Sequence, residues 1–247
     1  MSQVENGIRI NKYLSEIGFC SRREADRLIE QGRIRINGVV SPMGQKVLGD
    51  EKIEVNGKQV TTSKIKNIYL AFNKPRGIVC TTDQKREKNN IIDFINYPSR
   101  VFPIGRLDKM SEGLIFLTND GDIVNKILRA KNNHEKEYVV EVNKPITEEF
   151  TKLMSSGVPV LDTVTKKCSV KKTGKKTFKI ILTQGLNRQI RRMCEYFGYK
   201  VTQLQRIRIM NISLDIPVGE YRDFTATELN QINQSVKHSI KTFEENK

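Results

Sequence analysis

The feature that most constrains the fold of this chain is a short apolar run, LIFL, at residues 114–117. Gly113 precedes the run and the turn-forming segment TNDG, residues 118–121, follows it. This pattern predicts a buried strand that is entered and left through turns. Asp108 then lies in a loop just before a core strand, where its carboxylate sits between structured elements.

Two interpretations of Asp108 follow from its neighbours. Arg106 and Lys109 flank it, and these cations favour the ionised carboxylate and attract a polyanion. The alternative is an Asx-turn, in which the carboxylate accepts a hydrogen bond from the amide of Met110 or Ser111. Composition alone favours the turn.

The charge of the whole chain indicates the kind of partner. Lysine and arginine outnumber the acids 43 to 28, a net charge of +15, and the basic residues are spread along the chain. A polyanion is the natural partner, although a basic soluble protein without one has the same composition. No apolar run approaches the ~20 residues of a membrane span, and the N-terminus has no signal-peptide pattern, so we expect a cytoplasmic protein with no membrane partner.

Cysteine and histidine are too scattered for a metal centre. The four cysteines form no C-x-x-C pair, and His134 and His238 are the two histidines. The sequence therefore predicts no metal site and no disulfide framework, with reduced and mostly buried thiols. Catalysis would then depend on ordinary side chains.

Residues 8–60 are predicted to form two helices followed by strands. Tyr13, Leu14 and Ile17 share one apolar helical face, and SRRE at 21–24 is a capping-box pattern before a second helix. Asn-Gly pairs at 37–38 and 56–57 are hairpin signals. Five arginines crowd this unit and indicate either phosphate binding or a solvated basic face: Arg22, Arg23, Arg27, Arg33 and Arg35.

The second part of the chain is expected to contain further strands. Ile68 to Phe72 is a candidate strand that ends at NKPRG, and TTSKIKN before it is a candidate linker. Lys136, Tyr138, Val140 and Val142 alternate with other residues, which puts Lys136 and Tyr138 on one face of a strand. A tyrosine at such a position is either a core residue or a catalytic residue.

The segment QGLNRQIRRMCEYFG, residues 184–198, predicts a helix with Asn187 as its N-cap. Its buried face is formed by Ile190, Met193, Cys194 and Phe197. By helical phase, Arg191 lies at the border of that face and is expected to reach Asp108. Arg188 and Arg192 point outward, as suits phosphate contacts.

Other elements complete the prediction. Thr147 is expected to cap a helix that buries Phe150, Leu153 and Met154, and Thr225 to cap a last helix. Residues 164–170 and 178–182 form a predicted hairpin whose lysines discourage strand addition or, alternatively, touch RNA. A change of phase near Ile209 and Met210 suggests a β-bulge.

Several of these stretches resemble the motifs of a known family. GRLDKMSEGLIFLTNDG, NKPRGIVCTT, HEKEYVVEV and NRQIRRM are similar to motifs of the pseudouridine synthases that modify ribosomal RNA. The stretch RINKYLSEIGFCSRREADRLIEQGRIRINGVV resembles the S4 RNA-binding domain. The resemblance implies an α+β protein: an S4-like domain over 1–62, a linker at 63–67, a catalytic domain over 68–228 with a mixed, mostly antiparallel sheet, and a polar helix or tail over 229–247.

The same resemblance assigns roles to the site residues. It implies that Asp108 is the essential aspartate, that Tyr138 lies under the target base, and that Arg191 partners Asp108. The expected substrate-binding residues are Arg106, Lys136, Arg188, Arg192 and Lys74, and the expected RNA-binding residues are the five arginines of the S4-like domain.

The implied reaction is isomerisation of a uridine to pseudouridine in 23S ribosomal RNA, by a monomer without cofactor or metal, with transfer RNA left open as a further substrate. One alternative is an RNA-binding protein without catalysis. Another is a glycosidase-like hydrolase that pairs Asp108 with Asp120 or Glu112, which requires two carboxylates about 5 to 9.5 Å apart.

Overall fold

The computed structural model describes residues 7–60, 66–84, 86–129, 132–237 and 239. The chain divides into two compact units, Met1–Asn67 and Ile68–Lys247. Residues 63–65 of the expected linker, and residues 238 and 240–247 of the expected tail, lie outside the described residues. None of the helices in the described ranges combines the length and apolar character that crossing a bilayer requires.

In its described residues, the first unit contains two helices and six short strands. Ser21 accepts a hydrogen bond from the Glu24 amide and so caps the second helix as predicted. Asn37 and Asn56 both have positive φ and are followed by glycines with positive φ, which confirms the two predicted hairpin turns. The elements are β1 (Ile8–Arg9), α1 (Ile10–Glu16), α2 (Arg22–Glu30), β2 (Ile34–Ile36), β3 (Val39–Val40), β4 (Lys46–Val47), β5 (Ile53–Val55) and β6 (Lys58–Gln59).

The strands of this unit form two small sheets. Four strands lie in the order β3-β2-β5-β6, and β1 pairs with β4. Leu14 of α1 and Leu28 of α2 pack with Ile34 and Ile53 in one apolar core. The helical face that contains Leu14 is therefore buried, as the spacing predicts.

The second unit is built on a nine-stranded sheet. Its elements are β7 (Tyr69–Lys74), α3 (Ile91–Ile95), β8 (Phe102–Ile104), β9 (Glu112–Thr118), α4 (Gly121–Leu128), β10 (Lys136–Val142), α5 (Glu148–Ser155), β11 (Pro159–Val160), β12 (Thr163–Val164), β13 (Ser169–Lys172), β14 (Thr177–Leu182), α6 (Gln189–Tyr196), β15 (Val201–Ile209), β16 (Ile212–Ser213), β17 (Tyr221–Asp223) and α7 (Ala226–Ser235).

The sheet is mixed and mostly antiparallel, as expected. The strand order is β13-β14-β10-β15-β9-β7-β17, with β8 paired to β9 and β16 to β15. The pairing of β15 with β9 is parallel, and the other named pairs in this sheet are antiparallel. Strand β11 pairs with β12 outside this sheet.

The middle of the sheet is buried on both faces. Ile115 and Leu117 of β9 belong to one apolar cluster, while Leu114 and Phe116 belong to another. The apolar run predicted as a core strand therefore lies in β9, an interior strand of the sheet. In β10 buried and half-buried residues alternate from Lys136 to Val142, which confirms the period of two.

Three local predictions are wrong. Strand β7 continues through Lys74 rather than ending at Phe72, because Asn73 and Lys74 still pair with β9. Val164 lies in β12, so the predicted hairpin is only β13 with β14. Leu153 is exposed, since α5 buries Phe150 and Met154 instead.

The predicted bulge is also misplaced. The register of β15 against β10 shifts opposite Glu137–Tyr138 and Glu141–Val142, within the strand. Met210 instead has φ 52 and lies just after β15. The change of hydrophobic phase there reflects the end of the strand. Thr225 caps α7 as predicted, and it forms a capping box with Glu228 through reciprocal hydrogen bonds.

Candidate active site

The loop that holds Asp108 connects β8 to β9 and is fixed by its backbone. The Leu107 amide donates to Cys80 Sγ at 3.3 Å, and the Gly77 amide donates to the Lys109 carbonyl at 2.7 Å. The Ser111 amide donates to the backbone carbonyl of Asp108 at 2.9 Å. The turn is therefore closed by a carbonyl, and the Asx-turn interpretation is wrong. The Asp108 side chain is 34% exposed and remains available to a substrate.

Arg191 of α6 reaches Asp108, as the helical phase predicts. Its Nε lies 3.9 Å from Asp108 Oδ2, which is an ion pair but too long for a hydrogen bond. The guanidinium also donates to the Met110 carbonyl and Ser111 Oγ, both at 3.1 Å. Arg191 therefore anchors the end of the loop as well as facing the carboxylate. Burial lowers the pKa of Arg191, and the charge of Asp108 opposes this shift.

The start of α6 differs from the prediction. Arg188, not Asn187, is the N-cap, and its backbone is left-handed, with φ 51. It makes no side-chain capping bond, because a guanidinium has no hydrogen-bond acceptor. The Gln189 side chain instead accepts a hydrogen bond from the Leu186 amide at 3.0 Å. Arg192 folds back onto the Asn187 carbonyl at 3.1 Å and does not line the cleft, so its predicted contact with substrate is not supported.

Lys136 and Tyr138 face the same cleft from β10. Each is 8% exposed, and both line the space in front of Asp108. Lys136 Nζ donates to the His134 carbonyl at 3.3 Å. Burial lowers the pKa of Lys136 to about 8, and the positive charge of Arg206 contributes to the shift. Lys136 is thus a desolvated amine beside the predicted base platform.

Arg206 is a site residue that the sequence analysis missed. It is 4% exposed and lines the cleft from β15, with its guanidinium carbon 6.0 Å from the centre of the Tyr138 ring. Its Nε donates to the Leu114 carbonyl at 2.6 Å, while Nη2 is buried without a hydrogen-bond partner among the described residues. The sequence feature that could have indicated this residue is an arginine within an otherwise apolar strand.

Lys74 does not contact the cleft, so its predicted role in substrate binding is wrong. It is fully buried, and its Nζ donates to the carbonyls of Pro75 at 2.7 Å and Ile78 at 2.9 Å. Burial lowers the pKa of this amine. Lys74 therefore stabilises the turn at the end of β7. By contrast, Arg106 is exposed and lines the cleft, as does Arg188.

The cleft has a volume of about 620 Å³, and Asp108 is the sole carboxylate among the described residues that line it. Asp120 caps α4, accepting from the Asp122 amide and the Tyr69 hydroxyl, and neither Asp120 nor Glu112 lines the cleft. The pair of carboxylates required for glycoside hydrolysis is therefore missing from the lining. Within the described ranges, no group of three or more His, Cys, Asp or Glu side chains could hold a metal ion.

The five arginines of the first unit that were predicted to bind RNA are all exposed. Arg27 pairs with Glu24 at 3.2 Å, Arg33 donates to Asn56, and Arg35 donates to the Gly38 carbonyl. The guanidinium groups of Arg22 and Arg23 make no hydrogen bond or ion pair with any residue in the described part of the chain. The first turn of α2 therefore presents two unneutralised guanidinium groups to solvent.

Comparison with known proteins identifies the class of enzyme. Residues 68–196 match the family model described as RNA pseudouridylate synthase, and residues 8–41 match the S4 domain. The chain belongs to the RNA pseudouridine synthase family and carries an S4 domain. Like its family, it is an isomerase.

Individual relatives make the assignment more specific. The chain is 59% identical over 228 residues to "Dual-specificity RNA pseudouridine synthase RluF" of Salmonella typhi, covering 92% of this chain and 78% of that protein. It is 34% identical to "Ribosomal large subunit pseudouridine synthase B" of Bacillus subtilis, covering 95% and 99%. A solved structure, "Crystal structure of pseudouridylate synthase", superposes with a TM-score of 0.67 at 28% identity over 91% of this chain and 99% of that one.

Replacing Lys136 by methionine is expected to stabilise the protein while reducing turnover. The folded-state pKa of about 8 lies below the ordinary 10.5, so a protonated amine at pH 7 opposes folding. Removing it should raise the free energy of unfolding by about 2 kcal/mol. For the unmodified protein, stability should rise as the pH increases from about 8 towards 10.5, and this rise should be smaller in the variant.

Denaturant unfolding at pH 7 and pH 10 measures the change in the free energy of unfolding and its dependence on pH. Exposed Lys200, whose ammonium group has no partner among the described residues, provides the matched control, and Lys200→Met should change stability by less than about 0.5 kcal/mol. A destabilised Lys136→Met variant would show that the buried ammonium is compensated by its surroundings.

Arg191→Ala is expected to slow single-turnover isomerisation far more than Arg188→Ala does. Arg191 faces Asp108 and holds Met110 and Ser111, whereas exposed Arg188 only borders the cleft. We expect a loss of about a hundredfold for Arg191→Ala and a few-fold for Arg188→Ala. Rates should be compared on protein shown to be folded by circular dichroism. Equal losses would contradict the distinction between the two arginines.

Proposed function

We propose that this chain converts a uridine in 23S ribosomal RNA to pseudouridine, with Asp108 as the catalytic residue. The observation that carries the proposal is a single carboxylate in a cleft lined by cations and one tyrosine. A cationic cleft attracts an RNA backbone, and one ionised carboxylate can serve as the covalent or general-base catalyst.

The chemistry is a redox-neutral rearrangement within one nucleotide. The bond between N1 and C1′ breaks, the uracil rotates, and C5 bonds to C1′. The proton on C5 passes to a general base, and N1 gains a proton. Asp108 can begin this sequence by adding to C6, by attacking C1′ or by removing a ribose proton. In each case the atoms balance within one nucleotide, and we propose that the reaction uses no cofactor or metal.

The target base must leave its stack to reach Asp108. Flipping a base out of structured RNA costs a few kcal/mol, and stacking on an aromatic ring offsets part of this cost. We assign that contact to Tyr138, which is almost buried and faces the cleft. Arg106 and Arg188 at the cleft are positioned for phosphates, and Lys136 for an oxygen of the flipped nucleotide.

Division of labour between the units completes the proposal. The exposed arginines of the S4 domain, Arg22 and Arg23 above all, are proposed to bind RNA phosphates and to add affinity without chemistry. The residues that line the cleft all lie in the second unit, and we propose that the chain acts as a monomer. We place its action in the cytoplasm, with the ribosomal RNA.

The name of one relative supports a second substrate. The Salmonella typhi protein, at 59% identity, is called a dual-specificity enzyme. We therefore propose that this chain also modifies a second RNA, and that this RNA is a transfer RNA.

The decisive test is nucleoside analysis of RNA treated with purified protein. Transcripts of 23S ribosomal RNA and of transfer RNAs should each gain pseudouridine at a defined position, without release of uracil. Free uracil would indicate a hydrolase, and unchanged nucleosides in every RNA would leave only an RNA-binding protein. Mapping pseudouridines in cells with and without the gene then identifies the modified positions.

A further inference from the structure

The outer edge of the large sheet carries an unusual concentration of positive charge. Residues 163–182 contain seven lysines and no acidic residue. Six of these lysines are exposed and are called the lysine edge below: Lys166, Lys167, Lys171, Lys172, Lys175 and Lys176. Two of them precede β13, the terminal strand of the sheet, two end that strand, and two lie in the turn that joins it to β14.

Most of this charge is not neutralised within the protein. The ammonium groups of Lys167, Lys171, Lys172, Lys175 and Lys176 make no hydrogen bond or ion pair with any described residue. The seventh lysine, Lys179, pairs with Glu137 at 3.4 Å, and Glu137 also pairs with Arg208 at 3.0 Å. The acid of the neighbouring strand is therefore already engaged by two cations.

The strand register makes this arrangement costly for the isolated protein. Lys171 lies directly opposite Lys179 in the pairing of β13 with β14. Like charges directly opposite one another destabilise an antiparallel pair. Lysines on an edge strand can also serve only to block unwanted strand pairing. A bound polyanion would relieve the repulsion as well, which blocking alone does not.

The lysine edge begins at the rim of the cleft. The Lys166 amide donates to Gln184 Oε1 at 3.0 Å, and Gln184 lines the cleft. From Leu182, which lies opposite Lys136, strand β14 leads back to Thr177 beside the turn. Five residues of strand span about 17 Å. The charge therefore extends from the active site outward along one edge of the same unit.

We propose that the lysine edge binds the phosphate backbone of the RNA stem next to the target uridine. This inference rests on the proposed function, because it takes the cleft as the place where the uridine binds. The edge would then supply affinity that is independent of the S4 domain. Flexible lysine stems suit a backbone contact without base recognition.

The test compares two sets of substitutions at the same four positions of the full chain. One variant carries Lys171→Gln, Lys172→Gln, Lys175→Gln and Lys176→Gln, and the matched control carries arginine at these positions. The probes are two fluorescein-labelled RNA stem-loops with the same uridine-containing loop. One has a stem of about twelve base pairs, and the other a stem of about four, too short to reach the β13–β14 turn.

The glutamine variant should bind the long stem about tenfold more weakly at about 150 mM salt, with a slope of log affinity against log salt that is smaller by about two or more. The arginine variant should retain both values, and the short stem should be bound equally by all proteins. Single-turnover rates at saturating RNA should be unchanged.

Three results would overturn the proposal. Equal binding of the long stem by the glutamine variant and the unmodified protein would leave the lysines as a blocked edge or as a surface for an acidic protein. If the glutamine variant bound both stems equally more weakly, the loss would reflect the net charge of the protein rather than a binding surface for the stem. Weak binding of the long stem by the arginine variant would indicate that positive charge at these four positions does not account for the affinity. If the unmodified protein forms no pseudouridine, yet the stems differ as expected, then the proposed function fails and this surface stands.

Discussion

Replacing Asp108 by asparagine is expected to abolish pseudouridine formation while leaving RNA affinity within a few-fold of the unmodified protein. The amide has the size of the carboxylate but can neither add to the substrate nor accept a proton from it. The loop should keep its shape, because its fixing bonds involve the backbone of Leu107, Asp108 and Lys109 rather than the carboxylate. We expect a loss of at least about a thousandfold in single-turnover rate.

Glu112 provides a matched control for this substitution. It is the next carboxylate along the chain, it begins β9, and it does not line the cleft. Glu112→Gln should therefore keep a rate within a few-fold of the unmodified protein. Substantial turnover by Asp108→Asn, or a large loss in Glu112→Gln, would exclude the assignment of Asp108 as the catalytic carboxylate.

The sequence predicts those parts of the site that depend on the residue pattern of a single strand or helix. The apolar run at 114–117 and the alternation from Lys136 to Val142 each fix a strand and the side to which its residues point. Helical phase alone places Arg191 at the border from which it reaches Asp108. These inferences need only the period of one element.

The parts that the sequence does not predict depend on distant pairings or on unusual backbone geometry. Arg206 enters the cleft because β15 pairs in parallel with β9 and because its register against β10 shifts nearby. The sequence around Arg206 predicts neither this strand pairing nor this register shift. Lys74 is buried because two carbonyls close to it in sequence accept from its ammonium, and a lysine is rarely buried otherwise. Asn187 is not the N-cap of α6, because Arg188 adopts a left-handed conformation and the helix begins one residue later than predicted.

Gly113 is expected to be indispensable because it lies where the catalytic loop, β9 and β15 meet. Its φ is +105°, in a region that side chains strongly disfavour, and it pairs with Arg206 in the parallel register. A Cβ at this position would meet the backbone nitrogen of Arg206 at 2.8 Å, and would lie still closer to the Arg206 carbonyl oxygen. Neither backbone atom can move without separating the two strands.

Gly113→Ala should therefore destabilise the catalytic unit by about 4 kcal/mol or more, since backbone strain and overpacking each cost about 1 to 3 kcal/mol and act together here. Separation of the strands would also move Arg206 away from the Leu114 carbonyl and displace the start of β9, next to Asp108. Denaturant unfolding measures the first effect. Single-turnover rate on the remaining folded protein measures the second.

Gly121→Ala is the control that separates this effect from the loss of any glycine. Gly121 is the first residue of α4, and no atom lies within 4 Å of its added Cβ. Alanine favours a helix over glycine by up to about 1 kcal/mol, so this variant should be as stable as the unmodified protein or slightly more stable. If Gly113→Ala unfolds at the same denaturant concentration as Gly121→Ala, the close approach of β9 and β15 cannot be what fixes Arg206 and the Asp108 loop in one site.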